Sequence, residues 1–225
     1  MKNRQLLLIS TFLLLLFPLS LSAKASLHQV DFSPQELKII QGHYSTIYGY
    51  LYIQVRGKQV STNFDGKYIQ LVKKSNGRFY PRYKLLKLIP ISLGSMSFSL
   101  NNNINNNKGE NQILMHQRNK KTQTVAQKFT ASVVPNLWKQ RLGKYKATLL
   151  KGDSKIKKIR LAIKRGVLVA YINKISNPYP LLALSASKIF SPSAGHNSDQ
   201  PISILANKTG LNLNYADNKL ILKKF

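Results

Sequence analysis

The chain repeats itself once. Pro34, Leu37, Gly42 and Tyr44 return at the same spacing as Pro135, Trp138, Gly143 and Tyr145. Each copy then enters an apolar stretch broken by an Arg-Gly pair, Arg56-Gly57 in the first and Arg165-Gly166 in the second. Each closes on Lys-Phe, Lys128-Phe129 and Lys224-Phe225. A single internal repeat of this length means two similar units, or one structure made of two halves. The copies span residues 34–129 and 135–225, with 26–33 as an N-terminal segment and 130–134 as a linker.

Strands dominate both copies. Leu51, Ile53 and Val55 alternate with Tyr50, Tyr52 and Gln54, and Ile159, Leu161 and Ile163 alternate with Lys158, Arg160, Ala162 and Lys164. A period of two is that of a half-buried strand. Asn76-Gly77 between 67–73 and 78–86 is a strong hairpin signal. Ala216-Asp217-Asn218 marks a further turn, between 211–215 and 219–223. Ser33, Pro34 and Glu36 make a cap, a first-turn proline and a capping-box acid, so one short helical turn precedes the first strand. Beyond residue 25 no stretch keeps a helical period over three turns. The expected fold is all-β: two tandem small antiparallel barrel-like units, or alternatively one larger β-barrel formed from both halves. Leu51, Ile53, Val55, Ile159, Leu161, Ile163, Trp138, Tyr44 and Tyr145 form the expected core. Asn101–Asn107 and Ser191–Pro201 read as polar loops.

Residues 1–25 stand apart. Lys2 and Arg4 precede an apolar run from Leu6 to Leu21, which exits through Ala23-Lys24-Ala25. A positive start, an apolar run and a small-residue exit are the parts of a secretory signal peptide. The run contains Pro18 and is short for a membrane span. The expected location is periplasmic or extracellular.

The charge is lopsided. There are 35 Lys and Arg against 7 Asp and Glu, for a formal +28. Removal of the leader takes Lys2, Arg4 and Lys24 and no acid. A protein this basic is drawn to anionic surfaces: lipid head groups, lipopolysaccharide, acidic glycans and extracellular nucleic acid. With no Cys, thiolate chemistry and zinc–thiolate sites are excluded. Each acid has a turn, cap or loop context, so no carboxylate pair is set aside for acid–base work. The four His residues are not at ligand spacing. Ser185-x-x-Lys188 and Lys208-Thr209-Gly210 echo acyl-serine motifs, but they lie too close together for that fold. His196, Ser198 and Asp199 fall in one polar loop, where a catalytic triad is not built.

The order of an aromatic residue, Gly-x-Tyr, a strand, a Gly turn, a strand and a closing hairpin resembles a known module. It is similar to the lipocalin-like β-barrels that follow the catalytic domain of penicillin-binding-protein-like serine hydrolases. Trp138, Gly143, Tyr145, Gly166 and Phe190 carry the likeness in the second copy, and Gly42, Tyr44, Gly57 and Phe98 in the first. The resemblance covers most of the chain as two copies and lacks the catalytic domain. It implies accessory or binding modules rather than a hydrolase.

The expected function is therefore that of an exported, non-catalytic binding protein, without cofactor or metal. Its partner would be an anionic surface or polymer, or an amphipathic small molecule. Lys144, Lys146, Lys155, Lys157, Lys158, Arg160 and Lys164 in the second copy are the candidate anion-binding residues, joined by Arg78, Arg82 and Lys84 in the first. Lys158, Arg160 and Lys164 should project from one strand face. No nucleic-acid fold signature accompanies them. The competing readings are a secreted serine hydrolase or its accessory subunit, and a small outer-membrane barrel suggested by the terminal Phe225. Lys219 and Lys223 interrupt the lipid-facing alternation that such a barrel needs.

Overall fold

A computed structural model describes residues 27–46, 48–64, 66–85, 89–92, 96–101, 111–174, 177–192, 202–207, 210–215 and 217–225. The expected signal peptide lies outside these residues, as do Asn102–Asn107, His196, Ser198, Asp199, Lys208 and Thr209.

Helix α1 (Pro34–Ile40) leads into β1 (Gly42–Thr46), β2 (Gly49–Arg56), β3 (Gln59–Phe64), β4 (Lys67–Lys73) and β5 (Phe79–Leu85). Then come β6 (Ile89–Ser92), β7 (Ser97–Asn101), β8 (Gln112–His116) and β9 (Gln123–Phe129). The second copy opens with α2 (Asn136–Gln140), followed by β10 (Gly143–Lys151), β11 (Lys158–Lys164), β12 (Val167–Ile172) and β13 (Tyr179–Ala183). It ends with β14 (Lys188–Phe190), β15 (Ser203–Asn207), β16 (Gly210–Tyr215) and β17 (Asn218–Lys224).

Both copies close separately. In the second, β10 to β17 pair in sequence order and β17 returns to β10. In the first, β9 returns to β1, and β4–β5 pairing closes the ring. Strand β5 is shared on its other edge: Phe79 pairs with Phe98 of β7, while Arg82–Leu85 pair with β6. The fold is thus two closed eight-stranded antiparallel barrels in tandem, and the single larger barrel does not form.

The repeat is a structural device. The Tyr44 hydroxyl donates to the Ile40 carbonyl at 2.9 Å, and the Tyr145 hydroxyl donates to Arg141 at 2.5 Å. Each tyrosine ties the first strand of its barrel to the end of its helix. Gly42 and Gly143 hold φ of 145° and 137°. A Cβ there would lie 2.6 Å from Cε of Lys128 and 2.9 Å from Cε of Lys224. Those lysines come from the closing strands, cross the glycines and donate to the helix-end carbonyls of Ile39 and Gln140. Gly-x-Tyr and Lys-Phe are therefore two halves of one latch, which fastens helix, first strand and last strand.

The core follows the alternation of the strands. Inward residues of the second barrel pack around Trp138, which is fully buried and donates its indole N–H to the Ser185 carbonyl at 3.1 Å. The first barrel buries Ile40, Tyr44, Ile53, Val60, Phe79 and Ile113. Leu51 and Val55 pack against that core without full burial. Ile163, expected inside, is 42 % exposed. It sits one pair from the β11–β12 turn, and an inward position there stands beyond the rim of the core.

The barrels touch along one seam. Strand β12 is apolar on both faces: Leu168, Ala170 and Ile172 enter the barrel core, while Val167, Val169 and Tyr171 pack outward with Tyr50, Tyr52 and Phe129 of the first barrel. The Tyr50 N–H donates to the Pro178 carbonyl at 2.6 Å, and the Asn177 amide donates to the Tyr48 carbonyl at 2.8 Å. The Ser45 hydroxyl donates to the Pro192 carbonyl. His43 is half-buried in this seam. Its Nδ1 lies 2.8 Å from the Tyr50 hydroxyl, among the rings of Tyr50, Tyr52 and Phe129.

Candidate anion-binding site

The outer face of β17, β10, β11 and β12 brings five candidate or neighbouring cations together by register. Lys144 stands opposite Arg160, Lys146 opposite Lys158, and Lys146 again opposite Lys223. Cross-strand partners lie about 5 Å apart, and like charges set so close repel. Among the described residues no ion pair joins Lys144, Lys146, Lys158 or Arg160 to a carboxylate; Lys58–Asp31 and Lys73–Glu36 lie in the first copy and the segment that precedes it. Arg160 lies over the Tyr171 ring at 4.1 Å, a cation–π contact across paired strands.

Lys144, Lys158 and Arg160 line a groove of about 510 Å³, with Lys174 adding charge and Tyr171 and Phe225 supplying rings. One edge is shaped by Asn173, at φ 53°, whose side-chain oxygen accepts from the Lys157 and Lys158 N–H groups. Its amide donates to the Lys155 carbonyl. Lys155 and Lys157 are exposed on that clamped entry segment. Asn173, Lys174, Tyr171 and Phe225 were not picked out for this role from the sequence. Only the run of bases around 155–160 marked the place.

Lys164 does not join this face as a free cation. Strand β11 keeps the expected alternation, but its second half is covered by the first barrel. Ala162 packs in the seam, and Lys164 lies 5.8 Å from the Tyr50 ring centroid. Burial, and then the neighbouring Arg165, hold its pKa below the usual lysine value. Lys164 and Arg165 instead face a cleft of about 370 Å³ between the barrels, with Tyr50, Tyr52 and Gln54. Arg78 and Arg82 are exposed on the first barrel, at the two ends of the region where β5 pairs with β4. Lys84 follows on β5, opposite Pro90 of β6. Neither Arg78 nor Arg82 lines the groove.

The aromatic residues of β2 and β5 are divided. Phe79 is core, Tyr50 is buried in the seam, and Tyr80 and Tyr83 are half-exposed, with Lys74 and Lys67 over their rings. The Ser185 hydroxyl accepts from the Ser187 and Lys188 N–H groups, so Ser185-x-x-Lys188 forms a tight turn between β13 and β14. No group of three or more metal-ligating side chains occurs among the described residues. Outward Lys144, Lys146, Lys158 and Lys223 around an aliphatic interior is the reverse of a lipid-spanning barrel, which is apolar outside.

A second feature lies inside the first barrel. A cavity of about 490 Å³ runs between its strands, lined by Leu51, Ile53, Phe64, Phe98, Ile113 and Met115 among others. Eight strands enclose just enough space either to be filled by side chains or to admit one small ligand. The first barrel leaves such a space.

No protein family, no curated protein and no solved structure matches this chain.

Proposed function

We propose that the protein is an exported, non-catalytic binding module for an anionic polymer or surface, held at the outer face of the second barrel. The observation that carries this reading is the register of β17, β10, β11 and β12, which sets Lys223, Lys146, Lys158, Lys144 and Arg160 side by side, with no ion-paired carboxylate among the described residues. A face that repels itself gains most from an anion laid across it, because contact relieves the repulsion and releases counterions. Tyr171 and Phe225 offer flat apolar surface to sugar rings or bases beside those charges. The likeness to lipocalin-like modules of serine hydrolases supports a binding role of the same general kind.

The test is retention of the full mature chain on immobilised heparin, lipopolysaccharide and DNA across a salt gradient. The variant carries Lys146→Gln, Lys158→Gln and Arg160→Gln together. It should elute at lower salt, with the DNA slope reduced by up to about three, one per neutralised contact. Its melting temperature should stay level or rise, since exposed positions contribute within about 0.5 kcal/mol and repulsion is removed. Equal retention of both proteins would refute this face as the site.

A further inference from the structure

We infer that the interior of the first barrel is a binding site for a single-chain anionic amphiphile, with the hydrocarbon tail inside and the head group at the mouth. The inference is independent of the basic face on the second barrel.

The two interiors differ in a way the repeat exposes. In the second barrel Trp138 and aliphatic residues of all eight strands pack into one buried cluster. In the first, Leu37 stands in the Trp138 slot and is smaller. Thr46, Thr62, Pro81 and Thr124 also point to the cavity, where the second barrel offers mainly aliphatic side chains. The first barrel closes by the same latch and so keeps the same girth, but with less to fill it.

The cavity has a direction. Its deep end lies at Ile53, Phe79 and Ile113, toward α1. Its other end lies at Tyr48, Gln117 and Gln123, beyond the far ends of β1, β8 and β9. From Ile113 to Gln117 the strand advances about 13 Å. Among the described residues the lining contains no charged side chain, so a charged group would lose its hydration there without compensation. An alkyl tail suits this interior, with Met96, Met115 and Phe98 as adaptable walls. The mouth is different. The loop joining β8 to β9 carries Arg118, Lys120 and Lys121, all exposed, between the cavity-lining Gln117 and Gln123. Lys67 begins β4 at the same end. Asp65, in the neighbouring β3–β4 turn, lies outside the described residues. The tail is thus selected by an uncharged interior and the head by a cationic rim.

The experiment is calorimetric titration of the full mature chain with octanoate, decanoate and dodecanoate, and with decanol for comparison. Affinity should rise about fourfold per added methylene while the tail still finds room. The carboxylate should bind more tightly than the alcohol of equal length. Combined Arg118→Gln, Lys120→Gln and Lys121→Gln should remove that preference and leave decanol binding unchanged. Met115→Trp, which fills the cavity, should abolish binding of every chain. Chain-length independence in the wild type, or undiminished binding by folded Met115→Trp, overturns the proposal. Equal affinity for decanoate and decanol overturns the assignment of the rim. The Lys146, Lys158 and Arg160 variant should bind decanoate normally, and Met115→Trp should elute normally from heparin. Failure of either site therefore leaves the other standing.

Discussion

Trp138 and Gly143 carry the second barrel in different ways. Trp138 is fully buried and tethered through its indole N–H to Ser185. Its replacement by Ala should cost about 3–5 kcal/mol. By scanning calorimetry that appears as a fall of about 12 °C or more for a unit of this size. Gly143 has two reasons to be glycine: a φ of 137° and the Lys224 side chain 2.9 Å from where a Cβ would be. The lysine is flexible and can move, while the backbone angle cannot be relieved locally. Gly143→Ala should therefore destabilise by about 1–3 kcal/mol. Adding Lys224→Ala should not recover it. Full recovery in the double variant would place the cost in the side-chain contact instead.

Strands explain why some of this was legible and some was not. Alternation in β2 and β11 told which side chains turn inward, because a strand has only two faces. It did not tell what covers the outer face. The unbroken apolar run Val167–Ile172 did carry that information, since a strand apolar on both faces is buried on both. Lys164 was misplaced because its burial comes from the other barrel, not from its own strand. The cavity was invisible for a related reason: periodicity gives the side a residue faces and says nothing of how full the space opposite is. The seam also gives β1 a pH response. Burial, then Arg165 and Lys128, hold the His43 pKa below 6.5, so the unfolded chain binds the proton more readily than the folded one. Stability should be full above about pH 7 and fall as pH drops through 6.5 toward the folded value, then level off. His43→Phe should flatten that part of the melting-temperature profile. An unchanged profile would show that another group titrates.

At the scale of the molecule, Gly49 is a point of close approach between the two barrels. A Cβ there would lie 2.6 Å from the Pro178 carbonyl oxygen, and backbone cannot yield as a side chain can. Gly49→Ala should pry the seam open while each barrel stays closed. Proteolysis between residues 130 and 134 should then be faster, with the two fragments separating on gel filtration. Unaltered cleavage would show that the seam tolerates the methyl group. The barrels also share a topological property: in each, the first strand pairs with the last, β1 with β9 and β10 with β17. A chain emerging from its N-terminus can therefore complete the first ring while the second has not begun, but neither ring can shut before its own final strand arrives. Until then both flanks of the growing sheet present unpaired backbone, and that edge is the most aggregation-prone state the sequence passes through. The closing lysine is placed to end it. Lys128 and Lys224 arrive with the last strand and cap the helix at the first, so the event that seals each ring also records that synthesis of that ring is complete.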